Sequence, residues 1–305
     1  MIPDAPEQRA ARTRSLVAGG CLVVVSLLVY WLSNRFFNAG RGDLFYLADA
    51  FLHGRTWIPN ALGPWDVIIR DGRVYVPFGP FPAIVLTPLV AVLGAAGADQ
   101  VQTGVNAGLA AAVVGLAWWT AGRIGVTRLW DRLALALLLG FGTQVWWVTT
   151  RGGVWHTGHL VAMILTLLLI AELFGRARPV LLGLLLGAAF LTRAPVAFAA
   201  PAIALWLLPG ESAAGDGDLP GASIVERVRA LPWRAWVRFG LGLVPSLVFF
   251  LWYDAVRFGS PFESGYGLAT LPDWLQTLRA QGMFSVVHIP MNIDYLFLLL
   301  PAFTA

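Results

Sequence analysis

Apolar residues occupy this chain in long blocks, with polar positions gathered between them. Blocks at 15–32, 81–97, 101–122, 133–150, 158–174, 180–191, 194–208 and 239–253 carry almost no charge. The first, about 18 residues, rises roughly 27 Å as a helix, enough to cross a hydrocarbon core. Arg9, Arg12 and Arg14 precede it, and Ser33-Asn34-Arg35 follows where a secretory leader would have a small-residue cleavage site. The pattern predicts a retained first transmembrane helix with a cytoplasmic N-terminus.

From 34 to 80 the pattern changes. Leu44, Leu47 and Phe51 recur at helical spacing within 43–53, predicting a helix lying at the membrane interface. Residues 65–78 flank Arg70-Asp71-Gly72-Arg73, and Asp-Gly between two β-rich runs predicts a hairpin. The block 81–97, with Pro82 and Pro88 inside it, is either a full span or a dipping helix, and charge decides between them. If it does not cross, Arg9, Arg12, Arg14, Arg123, Arg128, Arg132, Arg176, Arg178, Arg227, Arg229, Arg234 and Arg238 all face the cytoplasm. If it does cross, three of these four clusters fall outside. The non-crossing reading predicts seven spans.

Block 180–208 breaks at Thr192-Arg193-Ala194-Pro195, since a residue before proline disfavours helix. Each arm would reach only about 20 Å, which leaves Arg193 below the outer surface. An arginine at membrane depth is costly unless paired, and this one calls for an anion.

The expected class is an all-α membrane protein with about seven transmembrane helices and a large first periplasmic loop holding interfacial helices and a small β-hairpin. Its parts are 1–33 (cytoplasmic segment and first helix), 34–100 (first periplasmic loop), 101–254 (transmembrane core) and 255–305 (periplasmic tail). The linker 211–224 is expected to be flexible and cytoplasmic, and 227–238, with Trp233 and Trp236, to form a basic interfacial helix. The apolar stretch 295–303 is too short to cross, so either the chain is C-terminally truncated, the favoured expectation, or this end packs at the membrane surface. Gly104, Gly108 and Ala112, and separately Gly183 and Gly187, have small-xxx-small spacing for helix packing.

Composition agrees. Of 305 residues 58% are hydrophobic and 12% charged, with mean hydropathy +0.71. That is about half the usual charge of a soluble domain, which excludes a disordered chain, a nucleic-acid module and an ordinary cytosolic enzyme. The net charge of +4 rests on arginines alone, so it reports topology and no nucleic-acid partner is expected. Cys21, the sole cysteine, excludes an intrachain disulfide.

The order of GRGDLFYLADAFLHGR (41–55), YVPFGPFPAIVLTPLVAV (75–92), GLLLGAAFLTRAPVAFAAPAIALWLL (183–208) and WYDAVRFGSPFESGYGLA (252–269) resembles the GT-C superfamily of polyprenyl-phosphate-dependent membrane glycosyltransferases, in the branch of protein O-mannosyltransferases and lipid A aminoarabinose transferases. The resemblance implies a bacterial inner-membrane enzyme of inverting mechanism. It would move a sugar from a polyprenyl-phosphate carrier to a lipid, polysaccharide or protein acceptor on the periplasmic face. The donor and membrane lipids would be its partners. Asp43 matches the family's general base at the start of the first outward loop. Many members have two adjacent acids there, whereas this chain has Gly42-Asp43-Leu44; the second outward loop, RGGVWHTGH (151–159), lacks the carboxylate often found in it.

Each candidate also has a structural reading. Asp43 is a general base or a helix cap; Asp49 is a second base or a solvated residue. Arg193 clamps the carrier phosphate or forms an ion pair, and Arg257 assists it or snorkels. His156 and His159 contact substrate or sit in an aromatic belt; a divalent metal is conceivable at them but not indicated. Glu263 and Tyr266 line a sugar pocket or form turns. The rival functions are a transporter or flippase for a lipid-linked substrate and a non-catalytic truncated membrane subunit of the same fold.

Overall fold

A computed structural model describes residues 6–34, 40–208, 232–282 and 285–298. Helix α1 (Pro6–Asn34) is followed by α2 (Asp43–Leu52), strands β1 (Ile68–Arg70) and β2 (Arg73–Tyr75), then α3 (Phe81–Gln100) and α4 (Gln102–Arg123). Next come α5 (Leu129–Phe141), α6 (Val145–Arg151), α7 (Val154–Leu173) and α8 (Pro179–Phe190). A 3-10 turn (Ala194–Ala199) leads into α9 (Ala200–Trp206), followed by α10 (Trp233–Phe258) and the short α11 (Asp273–Ala280).

Among the described residues, five helices are long and apolar enough to cross a membrane: Thr13–Asn34, Phe81–Gln100, Gln102–Arg123, Val154–Leu173 and Trp233–Phe258. The expected reading has seven spans, with block 81–97 not among them. Block 133–150 breaks into α5 and α6, bent by 44°, and counts as a sixth only if the pair is one span. The arms α8 and 194–206 are apolar but short, because Pro195 divides them. Block 81–97 is long enough when α3 is taken whole, but Gly94, at φ +69, kinks it. The 13 residues ahead of that kink rise about 20 Å. Both ends of α3 meet the start of α7. Phe78, just before α3, packs edge-on against Trp155 at 5.7 Å, while Gln102, just after it, accepts from the Gly153 amide at 2.9 Å.

The core of α1, α4, α5 and α7 is built on small residues. Ala107, Ala110, Ala117 and Ala136 are buried among Leu22, Val113, Val114 and Leu160. Tyr30 crosses from α1 to donate to the Gly140 carbonyl at 2.7 Å and stacks on Phe141. Gly183 of α8 and Gly242 of α10 bring those helices into backbone contact, for a Cβ at either would collide with the other helix's carbonyl oxygens. Gly104 and Gly108 correct the packing expectation, since a Cβ on either meets nothing within 4 Å. Two substitutions of one chemistry should therefore move stability in opposite directions. Gly183→Ala should lower the thermal midpoint in detergent, as overpacking costs on the order of 1–3 kcal/mol. Gly104→Ala should raise it slightly, since glycine inside a helix costs about 0.5–1 kcal/mol against alanine.

The hairpin forms as expected. Ile68 faces Tyr75, Ile69 faces Val74 and Arg70 faces Arg73. Asp71 (φ 51) and Gly72 (φ 70) supply the two left-handed residues of a tight primed turn. Thr270 pairs with the residues just ahead of β1. Asp66 N donates to Thr270 O at 2.7 Å and Thr270 N to Val67 O at 2.9 Å.

The described parts of the basic clusters gather at one end. Arg132 donates to Ser15 at the start of the apolar part of α1, Arg123 approaches Gly175, and Glu172 pairs with Arg178 at 2.8 Å. Trp206 donates to Leu173 O and Trp236 to Ala204 O, which brings the end of α9 and the start of α10 there too. The arm after Arg193 therefore folds back beside α8, as the hairpin reading expected. Trp233–Arg238 are the first turns of α10 and not a separate interfacial helix. Residues 211–224, 227–231 and 299–303 lie outside the described residues.

Candidate functional site

The opposite end holds the candidate chemistry, built around the loop 40–42. Val154 N donates to Arg41 O at 2.9 Å. Gln102 donates to Gly40 O and to Asp99 Oδ1, both at 2.8 Å. A Cβ on Gly40 would stand 2.9 Å from Gly153 Cα, so the two loops touch through their backbones. This clasp holds Asp43 in the first turn of α2, at the positive end of the helix dipole. Its side chain caps nothing. It is 0% exposed, Oδ1 accepts from Arg41 Nη2 at 2.9 Å, and Oδ2 has no partner among the described residues.

Two further acids meet it. Asp99, from the end of α3, lies within electrostatic reach of Asp43 and occupies the space a side chain at position 42 would need. That is why glycine stands before Asp43: the neighbouring carboxylate arrives from another helix. Asp66 lies within electrostatic reach of Asp43 and lines a cavity of about 470 Å³ together with Phe78, Tyr266, Leu271, Leu275 and His288. Asp66 has φ 54, a left-handed conformation held by its amide on Thr270 and by Arg41, which donates to the carbonyls of Trp65 and Asp66. Burial pushes its carboxyl above the usual carboxylate range; Arg41 opposes this and Asp43 adds to it.

Arg193 stands at the hairpin tip. Leu191 O accepts from Phe81 N at 3.2 Å, and a Cβ on Gly79 would collide with that same carbonyl, so the tip is docked on the loop leading into α3. The guanidinium donates to Trp155 O at 2.9 Å and interacts electrostatically with Tyr266. Among the described residues it has no carboxylate partner. Trp155 joins the two halves of the site, because Arg41 lies 5.8 Å from its ring centroid.

The remaining candidates separate. Asp49 is turned to Arg55 (3.5 Å) and His53 (3.6 Å), away from the carboxylate group. Arg257 is corrected: 6% exposed, it donates to Val76 O, pairs with Asp254 at 3.7 Å and lies between the Tyr253 and Phe258 rings, leaving no face for a carrier phosphate. His156 bonds Gly152 O and packs edge-on against Trp147 and Trp155. His159 is exposed, near Arg193. Glu263 accepts from its own Gly265 amide and lines a different, open cavity with Arg70 and Phe262. Among the described residues no group of three His, Cys, Asp or Glu could hold a metal ion. Arg41, Asp66, Asp99 and Gln102 were missed. The polar island Asp99-Gln100-Val101-Gln102 between two apolar blocks was the one available signal.

No protein-family model matches the chain, and no curated protein or solved structure matches it. Fold and site together define a helical membrane protein with a buried Asp43 carboxylate and an arginine without a carboxylate partner among the described residues, at one end of its apolar helices.

Proposed function

We propose that this protein is a membrane glycosyltransferase that takes a sugar from a polyprenyl-phosphate carrier at the outer end of the helices. The observation that carries the reading is Arg193. It is a half-buried guanidinium with no carboxylate partner among the described residues, held on the same tryptophan that touches the Asp43–Arg41 pair. Guanidinium binds phosphate oxygens through a bidentate fork.

In the proposed reaction the acceptor hydroxyl gives its proton to Asp43 while its oxygen attacks the anomeric carbon. The bond from that carbon to the carrier-phosphate oxygen breaks, and the electron pair leaves with the phosphate, which Arg193 stabilises. Asp66, on the cavity wall beside Asp43, orients the acceptor. Basic loops at the far end and both ends of α3 at the near end support a cytoplasmic far face and a non-crossing α3.

The test is transfer of labelled sugar from a polyprenyl-phosphate donor by membranes carrying the protein. Translocation of the donor without transfer would replace this reading by a transporter, for which the two broken apolar segments at 142–144 and 191–193 are the supporting feature.

The raised carboxyl of Asp66 makes a pH prediction. Activity should fall on acidification at a pH above the ordinary carboxylate range, and Asp66→Asn should shift or flatten that limb in the pH–rate profile. The stability sign is opposite. A carboxyl raised in the folded state contributes stability below its unfolded value, lost as pH rises through the folded one.

A further inference from the structure

At the other end of α2 lies a third cavity, of about 560 Å³, that the sugar-transfer reading does not use. Its polar rim is Arg55, Thr56, Trp57 and Arg73, and its walls are Ile84 and Thr87 of α3 and Phe249, Trp252 and Val256 of α10. The guanidinium groups of Arg55 and Arg73 lie 5.4 and 5.5 Å from the centroid of the same Trp57 ring. Against these two charges stands one carboxylate, Asp49, 3.5 Å from Arg55 and shared with His53. Arg73 is exposed and has no ion pair among the described residues, and the buried Nε of Arg55 has no hydrogen-bond partner. The apolar walls are exposed: Ile84 by 39%, Trp252 by 51% and Val256 by 53%.

A cationic rim above an open apolar groove, between the apolar first part of α3 and α10, fits one kind of ligand. We infer that this cavity binds an anionic phospholipid, its phosphate between Arg55 and Arg73 and an acyl chain in the groove between α3 and α10. A free anion would meet the rim but leave the groove exposed; a zwitterionic lipid would fill the groove but present its own cation to two arginines. The ten residues of α2 separate this site from Asp43 by about 15 Å. It is therefore distinct from the carrier site at Arg193 and stands whether or not sugar transfer is the reaction. Because Phe51 lies in the last turn of α2 and the Arg55 amide donates to Ala50 O at 2.7 Å, a lipid seated here would anchor the helix that carries Asp43 at its start.

Native mass spectrometry of the detergent-purified protein, titrated with phosphatidylglycerol or phosphatidylcholine, tests this. Wild type should retain one phosphatidylglycerol that Arg55→Gln/Arg73→Gln binds at least about tenfold more weakly, with phosphatidylcholine retention unchanged. Arg123→Gln/Arg128→Gln, which removes the same charge at the far end, should bind as wild type does. If the double variant fails to fold, Arg73→Gln alone, an exposed change, should still weaken retention. Equal retention by wild type and the cavity variants overturns the inference, as does equal retention of the two lipids. Displacement of phosphatidylglycerol by millimolar inorganic phosphate would make this a free-anion site and overturn it equally.

Discussion

Asp43→Asn should cut sugar transfer by roughly 10²–10⁴-fold, the usual contribution of a positioned general base, while the protein folds and binds donor as before. Asparagine keeps the shape and an oxygen to accept from Arg41, which donates to Asp43 Oδ1 at 2.9 Å and also reaches the Trp65 and Asp66 carbonyls. What disappears is basicity at Oδ2, the oxygen without a partner. Asp43→Ala is a poorer experiment, because loss of one partner from a buried pair costs about 3–5 kcal/mol and would mix folding with chemistry. Asp49→Asn should leave turnover near wild type, since its carboxylate serves Arg55 and His53. Measured kcat for the two asparagine variants decides the matter. Full activity in Asp43→Asn removes Asp43 from the reaction.

Arg193→Gln should lower kcat/KM for the lipid-linked donor by about 10²–10³-fold, the scale of losing one donor to a developing oxyanion. Lysine should restore it only in part, as a point charge lacks the fork that grips two phosphate oxygens. Arg257→Gln is the informative contrast. Its guanidinium is buried against Asp254, with both side chains 3% exposed. Removing it should cost stability, about 3–5 kcal/mol for a broken buried pair, with activity per folded molecule retained. Thermal unfolding and donor kinetics on both variants separate the roles. The site account fails if Arg193→Gln melts early with normal kinetics.

Local features were legible in the sequence wherever a local cause sufficed. Asp71-Gly72 predicted its hairpin because only residues tolerant of positive φ make that turn. Leu44, Leu47 and Phe51 predicted α2, and Pro195 the break at Arg193, for equally local reasons. The span count was less legible. Apolarity marks a block, but whether it runs straight depends on Gly94 or on the bend at 142–144. Arg257 was misread because a residue just past an apolar block resembles an interfacial arginine until the hairpin closes over it through Val76.

From the sequence alone came the membrane class, the gathering of arginines toward one end, and the two charged residues most worth testing, Asp43 and Arg193. Tertiary structure alone decided which acids join Asp43. Asp66 comes from a loop 23 positions away and Asp99 from the end of α3, 56 positions away, and their approach depends on the kink in α3 and on backbone contact between Gly40 and Gly153. Hydropathy records how each segment partitions between water and lipid; it holds nothing about which polar ends converge once the helices have packed.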